Sequence, residues 1–279
     1  MSLYVVSTPI GNLGDMTFRG VEVLRQVSLI LAEDTRRART LLTRFDIATP
    51  TAAYHEHNEA ATGPRFVARL VAGEEMALIS DAGTPLLSDP GGRLVRAALD
   101  AGVRVIPVPG ASALLAALVA SGLVGDRFTF FGFAPRRVAD RSATMSDIAQ
   151  LPHVAVLYEA PNRTAATLAA LADAGAGGRQ AAVARELTKV YEEVRRGTVA
   201  DLAAYYGSTP PRGEVVIVIE GRAETPSDEG AWRARAHALR AAGAPPREIA
   251  TALMHEEGVP RNLAYRLAHE PGRESRDDD

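Results

Sequence analysis

Cysteine is absent from all 279 residues. That absence removes disulfides, thiolate metal sites and cysteine nucleophiles together, and a disulfide-stapled secreted fold with them. Lysine is nearly absent: Lys189 stands alone against 30 arginines, so the position that kept an ammonium draws notice. A strong charge of either sign is also missing. Thirty-one basic and 34 acidic residues leave a net −3, which excludes a chain that holds nucleic acid by bulk positive charge and leaves room only for a local basic groove. The longest apolar stretch, 111–122, is rich in alanine and broken by serine and glycine. It falls short of the roughly 20 apolar residues a membrane helix needs. The first residues, MSLYVVSTPIGNLGD, carry no charged leader, and their apolar run is too short for a signal-peptide core. A soluble, cytoplasmic, reduced protein is expected.

What is present is ordinary globular material. Hydrophobic residues make up 47% and charged residues 23%, which rules out a disordered or fibrous chain. The length suggests about two domains with a small appendage. Strands at 3–7, 28–32, 76–80 and 103–108 alternate with helices at 17–27, 35–45, 60–72, 91–101 and 111–122. This βαβα rhythm implies a mostly parallel sheet covered on both faces. After residue 122 the pattern changes. Strands are expected at 128–133, 154–158, 180–184, 190–195 and 215–220, with helices at 139–150, 161–174 and 199–206. Close spacing around 186–189 implies antiparallel pairing, hence a mixed sheet. Residues 222–230 read as a linker. Three short helices follow at 231–242, 245–257 and 260–269, the last two joined by a tight turn like that of a helix-turn-helix. The tail from 275 is acidic. The expected organisation is α/β: domains at 1–122 and 123–222, and a helical extension at 231–270.

Three loops stand at strand carboxyl ends, where open α/β sheets bind ligands. STPIGNLGD contains Thr8, Pro9 and two glycines. SDAGTPLLSDPG runs through Ser80, Asp81, Ala82, Gly83, Thr84 and Pro85. VPGASA contains Ala111, Ser112 and Ala113. None is a dinucleotide fingerprint or a P-loop. The second is longer than a plain connection, whose median is about four to six residues. Together they suit a small polar or zwitterionic ligand. AEDTRRARTLL puts Glu33 and Asp34 at a strand end, as a base or as a helix cap, beside Arg36, Arg37 and Arg39. YHEHNE places His55 and His57 two apart; with no third ligand evident, no metal is expected. RELTKVYEEVRRG holds Lys189. PRGEVVIVIEG reads as a buried core strand, with Gly213 and Glu214 candidates for a pocket edge.

Taken in order, STPIGNLGD, AEDTRR, YHEHNE, SDAGTPLLSDPG, VPGASA, GFAPR, YEAPNR, RELTKVYEEVRRG and GEVVIVIEG resemble the bacterial ribosomal RNA small subunit methyltransferase I family, of the tetrapyrrole-methylase-like class. The likeness covers residues 3 to about 268. It implies two α/β domains of the tetrapyrrole methylase type, with S-adenosylmethionine in the cleft between them, and a homodimer. It also implies 2′-O-methylation of one cytidine in the decoding region of 16S rRNA, presented as RNA or as the small ribosomal subunit. Cofactor contacts are expected from residues 7–10, 80–87, 111–113 and 158–160, the last including Tyr158 and Glu159. RNA contacts are expected from Arg36, Arg39, Arg136 and Arg137. The chain departs from the family pattern at Asn162, where a histidine is usual, and by fewer basic residues after GFAPR.

Such a methyl transfer is an in-line displacement that needs the two reacting atoms held about 3–3.5 Å apart. The acceptor hydroxyl needs a proton acceptor or a cation that stabilises its oxygen. Glu33, Asp34, His57 and Lys189 are the candidates. Two alternatives remain: a tetrapyrrole methyltransferase, allowed by the cofactor loops, and a non-catalytic nucleic-acid binder built on the C-terminal helices. The three ligand loops and the net negative charge argue against the second.

Overall fold

The computed structural model describes residues 1–123, 125–222, 229–256, 259 and 261–270. They fall into two compact units, residues 1–222 and 223–279.

The first unit opens with a five-stranded, wholly parallel sheet: β1 (Ser2–Val6), β2 (Leu29–Ala32), β3 (Thr51–Ala53), β4 (Glu75–Ile79) and β5 (Arg104–Val108), in the order β3-β2-β4-β1-β5. β2 is buried along its whole length, as apolar runs in parallel sheets are. α1 (Phe18–Gln26) starts at Thr17, whose hydroxyl accepts from the Gly20 amide. α2 (Thr35–Arg44) starts at Asp34, whose carboxylate accepts from the Arg36 amide. α3 (Glu59–Val71) and α4 (Gly92–Asp100) pack with Leu3, Met76 and Leu94 on one face of the sheet; Leu24, Ile30 and Ile79 fill the other. β3 was not expected. It is three residues long, without an apolar pattern, and is fixed by backbone bonds from Ile30 to Pro50 and from Tyr54 to Ala32.

α5 (Ala113–Ser121) follows β5 but packs against the second sheet. That sheet comprises β6 (Phe128–Phe133), β7 (Val154–Glu159), β8 (Gln180–Arg185), β9 (Glu193–Thr198) and β10 (Val215–Ile219), in the order β6-β7-β10-β8-β9. β6 and β7 are parallel; the other neighbours are antiparallel. Central β10, VVIVI, is buried throughout. α6 (Val138–Gln150), α7 (Thr164–Leu171) and α8 (Val199–Ser208) cover one face. Leu114, Ala117 and Leu118 of α5 cover the other, with Ile10 and Leu187. Each leucine so buried contributes about 1.5–3 kcal/mol.

Two expectations need correction. The strand placed at 190–195 starts three residues later, because residues 186–192 form a tight loop. Glu186 (φ 50°) and Thr188 (φ 67°) take left-handed backbone there, and the Thr188 amide donates to Glu192 at 2.6 Å. The helix placed at 161–174 is composite: a narrow turn (Pro161–Arg163), α7, then a wide turn (Ala172–Ala176) broken at Gly175 (φ 97°).

The second unit contains α9 (Glu229–Ala241), α10 (Pro246–Glu256) and α11 (Arg261–His269) around Ala236, Ile249, Leu253, Val259 and Leu267. Of the turn expected between α10 and α11, Glu257, Gly258 and Pro260 lie outside the described residues, as do most of the linker and the acidic tail. Among the described residues no helix is long and apolar enough to cross a membrane.

Candidate active site

β1 and β4 are neighbours, so STPIGNLGD and SDAGTPLLSDPG emerge side by side. Thr8 and Gly83 exchange backbone hydrogen bonds of 2.8 and 3.0 Å, with Gly83 at φ 81°. The Ser7 and Thr84 hydroxyls meet at 3.0 Å, and Thr84 donates to the Ala111 carbonyl at 3.1 Å. Gly110 lies so close that a Cβ there would stand 2.9 Å from the Cβ of Ser7. These contacts lock the three glycine-bearing loops into one wall. Leu86 (φ 76°) and Ser88 (φ 72°) also hold left-handed backbone, a strain that non-glycine residues carry where the surroundings impose it.

The wall bounds a cleft of about 470 Å³. Ile10, Glu33, Arg37, Asp81, Ala82, Gly83, Thr84, Ser112 and Ala113 line it from the first sheet's loops. Phe133, Tyr158, Glu159, Ala160, Pro161 and Gly213–Val216 line it from the second. Of the expected cofactor contacts, Thr8, Pro9, Ser80 and Pro85 are buried and Ala111 is half-buried, and none of the five is in the lining. Leu87, Ser88 and Asp89 complete the lining. Ser88, Asp89, Phe133, Pro161, Val215 and Val216 were not anticipated as site residues. Asp89 lies within the motif loop and was legible there; Val215 and Val216 carry only a core-strand pattern.

Of the five carboxylates that line the cleft, Glu33, Asp81 and Asp89 act on one another. The Asp34 amide donates to Asp81 at 3.0 Å, the Asp81 amide donates to Glu33 at 3.3 Å, and Arg37 pairs with Asp81 at 3.0 Å. Burial pushes the Glu33 carboxyl up, against the hydrogen bond from the Asp81 amide; the Asp81 charge pushes it further. Burial pushes Asp89 up to about 6, with Glu33 and Asp81 adding repulsion and a Ser80 hydrogen bond opposing it. Ser112, the residue before α5, lines the cleft with a buried hydroxyl that has no partner and does not cap the helix.

The four proposed catalytic groups part company here. Glu33 lines the cleft. Asp34 caps α2, and the Arg36 side chain on its carboxylate holds it down at about 2. His57 is exposed and outside the lining; His55 is half-buried and is the histidine that interacts electrostatically with Glu33. Lys189 also lies outside the lining, its Nζ donating to Glu186 at 2.9 Å and Glu214 at 3.0 Å. Burial disfavours its charge, but the two carboxylates outweigh that and raise its pKa. A Cβ on Gly11 would stand 2.4 Å from the Lys189 Cγ, so the first loop is shaped to this side chain. Glu159 is buried, accepting from the Ala160 amide at 2.8 Å and from the Thr167 hydroxyl, with Arg163 at 3.4 Å. Arg163 reaches back to the Ala134 and Pro135 carbonyls, both at 2.8 Å. Asn162, the departure from the family pattern, is exposed. Arg36, Arg39, Arg136 and Arg137 are all exposed, Arg36 held by Asp34.

Comparison with known proteins follows this architecture. Residues 2–203 match the Tetrapyrrole (Corrin/Porphyrin) Methylases. A ribosomal RNA small subunit methyltransferase I of Mesorhizobium japonicum is 46% identical over 266 residues, spanning 95% of this chain and 90% of the relative. The chain belongs to this family. The Pseudomonas aeruginosa member is 45% identical, covering 96% of both chains, and the Bacillus subtilis member 39%, covering 96% of this chain and 94% of the relative. Among solved structures, diphthine synthase superposes with a TM-score of 0.61 at 16% identity, covering 79% of this chain and 89% of that one. A cobalt precorrin-4 methyltransferase gives 0.58 at 18%, covering 78% and 94%. At that identity these two attest the shared fold alone. The family's two-sheet architecture is thus the one built here.

Proposed function

We propose that this family member transfers a methyl group from S-adenosylmethionine to RNA of the small ribosomal subunit, at the ribose 2′-hydroxyl of a cytidine in the decoding region of 16S rRNA. The reading extends to a homodimer in the cytoplasm. Identity of 45–46% to small subunit methyltransferases over nearly the whole chain supports the reaction class. The observation that carries the site is the cleft where the three locked loops meet the second sheet.

The residues of the cleft suit the cofactor. Ile10, Leu87, Phe133 and Val215 offer an apolar slot for a flat base. Asp81, Asp89 and Glu214 offer acceptors for an ammonium group and for ribose hydroxyls. The unpartnered Ser112 hydroxyl and the first amides of α5 offer donors to a carboxylate. S-adenosylmethionine supplies an activated methyl group on a positively charged sulfur. The chain supplies orientation, an acidic surround for that positive charge, and a proton acceptor.

Glu33 is the acceptor this geometry favours. It faces the cleft, and its raised pKa brings it nearer neutrality, where a general base works best. Arg36, Arg39, Arg136 and Arg137 would hold RNA phosphates, because they are exposed and outside the cofactor cleft. The test is Glu33→Gln assayed on small subunits and on uroporphyrinogen with labelled cofactor, and 2′-O-methyl mapping of the RNA. Turnover on RNA should fall on the order of 100-fold with cofactor affinity retained. Unchanged turnover would dismiss Glu33, and label in the tetrapyrrole alone would dismiss the RNA reading.

A further inference from the structure

A second, smaller cleft of about 190 Å³ lies between β8, β9, α8 and residues 209–212. Tyr206 lines it, 2% exposed, and its hydroxyl has no hydrogen-bond partner. The Nε of Arg195, which stacks 3.7 Å over Tyr205, is likewise buried and unpartnered. Arg195 is not itself in the lining, but Tyr206 is, and since buried polar groups in folded proteins are nearly all paired, its orphaned hydroxyl calls for an acceptor.

The surrounding charge points the same way. Arg185 and Arg212 line the cleft, and Glu193 is held by Arg185 at 2.7 Å and by Arg195 at 3.1 Å. Two guanidinium groups, Arg185 and Arg212, thus line the cleft with one carboxylate, Glu193, which Arg195 also holds from outside the lining. Arg212 is exposed and has no ion-pair partner among the described residues. Burial pushes the Tyr206 hydroxyl's pKa up, so it remains a donor at working pH. Donors and surplus positive charge select an acceptor-rich anion, and bidentate arginine recognition favours phosphate.

Chain connectivity ties this cleft to the methyl-transfer cleft. Residues 209–212 lead straight into Gly213 and Glu214, which line the larger one. Arg185 and Glu193 flank the 186–192 loop, whose Lys189 pairs with Glu214. The Cα atoms of Arg212 and Glu214 are at most about 7 Å apart by chain reach. We propose that the cleft beneath residues 209–212 binds a backbone phosphate of the substrate RNA, next to the nucleotide being methylated. A cleft of about 190 Å³ has room for a phosphate group. The proposal rests on the RNA reading above.

The test uses the full chain and small ribosomal subunits, with Arg212→Gln, Arg212→Lys and Tyr206→Phe, each checked for an unchanged melting profile. For Arg212→Gln the KM for subunits should rise on the order of tenfold, and the salt dependence of binding should become shallower by about one unit. Tyr206→Phe should raise KM several-fold, and Arg212→Lys should restore part of the loss. Cofactor affinity by calorimetry should stay constant. Unchanged KM and salt slope in Arg212→Gln and Tyr206→Phe would overturn the proposal. Inorganic phosphate titrated into wild type and Arg212→Gln separates the sources. Phosphate binding that depends on Arg212 while subunit KM does not would mark a free-phosphate site and overturn the RNA assignment. A wild-type chain that methylates no small-subunit RNA would defeat the functional reading itself, whatever the phosphate titration gives.

Discussion

Lys189 and Glu214 are joined by an ion pair of 3.0 Å, and only Glu214 faces the cleft. The lysine was expected to stand beside the reacting hydroxyl as a cation or, deprotonated, as a base. Its raised pKa speaks for the charged form, and its position gives it a route to the site through Glu214.

Replacing that ammonium therefore disturbs binding before chemistry. The pair is partly exposed, so its loss is worth about 1 kcal/mol, or roughly fivefold in an equilibrium. Lys189→Met should raise the KM for S-adenosylmethionine about fivefold and leave kcat within about twofold. Lys189→Arg should fall between, since the broader guanidinium must fit against Gly11. Steady-state kinetics decide the matter: a collapsed kcat at normal cofactor KM would return Lys189 to the reacting atoms.

Asp89 gives the site a pH dependence. Its pKa rises from 3.8 to about 6 in the fold, through burial first and then Glu33 and Asp81 repulsion. Between those values the folded state binds more protons than the unfolded one. The favourable contribution is complete below pH 3.8 and is lost as pH rises through 6. Asp89→Asn should accordingly raise Tm at pH 8 by on the order of 2–4 °C, the shift about 1 kcal/mol produces in a chain of this size. Binding of the positively charged cofactor should tighten between pH 5 and pH 7 in the wild type and lose most of that response in the variant. Isothermal titration at the two pH values reads the difference.

Thr84 bridges two loops, hydrogen-bonded to Ser7 at 3.0 Å and to the Ala111 carbonyl at 3.1 Å. Thr84→Val keeps the shape and removes both bonds. A destabilisation of about 1–3 kcal/mol is expected in urea unfolding, with weakened cofactor binding in the folded fraction. Stability and affinity both at wild-type level would mean the loops are held by backbone contacts alone.

Residues 1–222 contain both sheets with their cores, and the C-terminal helices have a core of their own. A chain ending at Arg222 should fold and bind S-adenosylmethionine with near-normal affinity while methylating small subunits more slowly. Loss of cofactor binding in a truncated chain with a normal melting transition would assign the last helices to the cofactor site.

Much of this was legible in the sequence because strand ends and caps are local. Thr17 and Asp34 announce their helices, and the strand-end motifs lie on the cleft that their parallel strands build. What was hidden depends on turns and facing. Val190 and Tyr191 are β-favouring residue types that read as strand, yet they are 94% and 74% exposed, because left-handed residues at 186 and 188 spend the chain on a loop. Sequence spacing treats His55 and His57 alike; only the path of the chain after β3 brings His55 towards Glu33. Val215 and Val216 lie in a buried strand whose first residues also form a pocket wall, a double use that periodicity does not encode.

α5 belongs by chain order to the first sheet and by contact to the second. The two halves are therefore not separable modules. A gene cut at codon 122 would yield one fragment displaying Leu114 and Leu118 to solvent and another with Val154, Val156, Ala182 and Ala184 stripped of their cover. Neither piece should be soluble alone, and co-expression should recover both as a non-covalent pair. A shuffled enzyme that exchanges substrate halves between relatives would have to place its crossover before residue 113, carrying the helix with the sheet it covers.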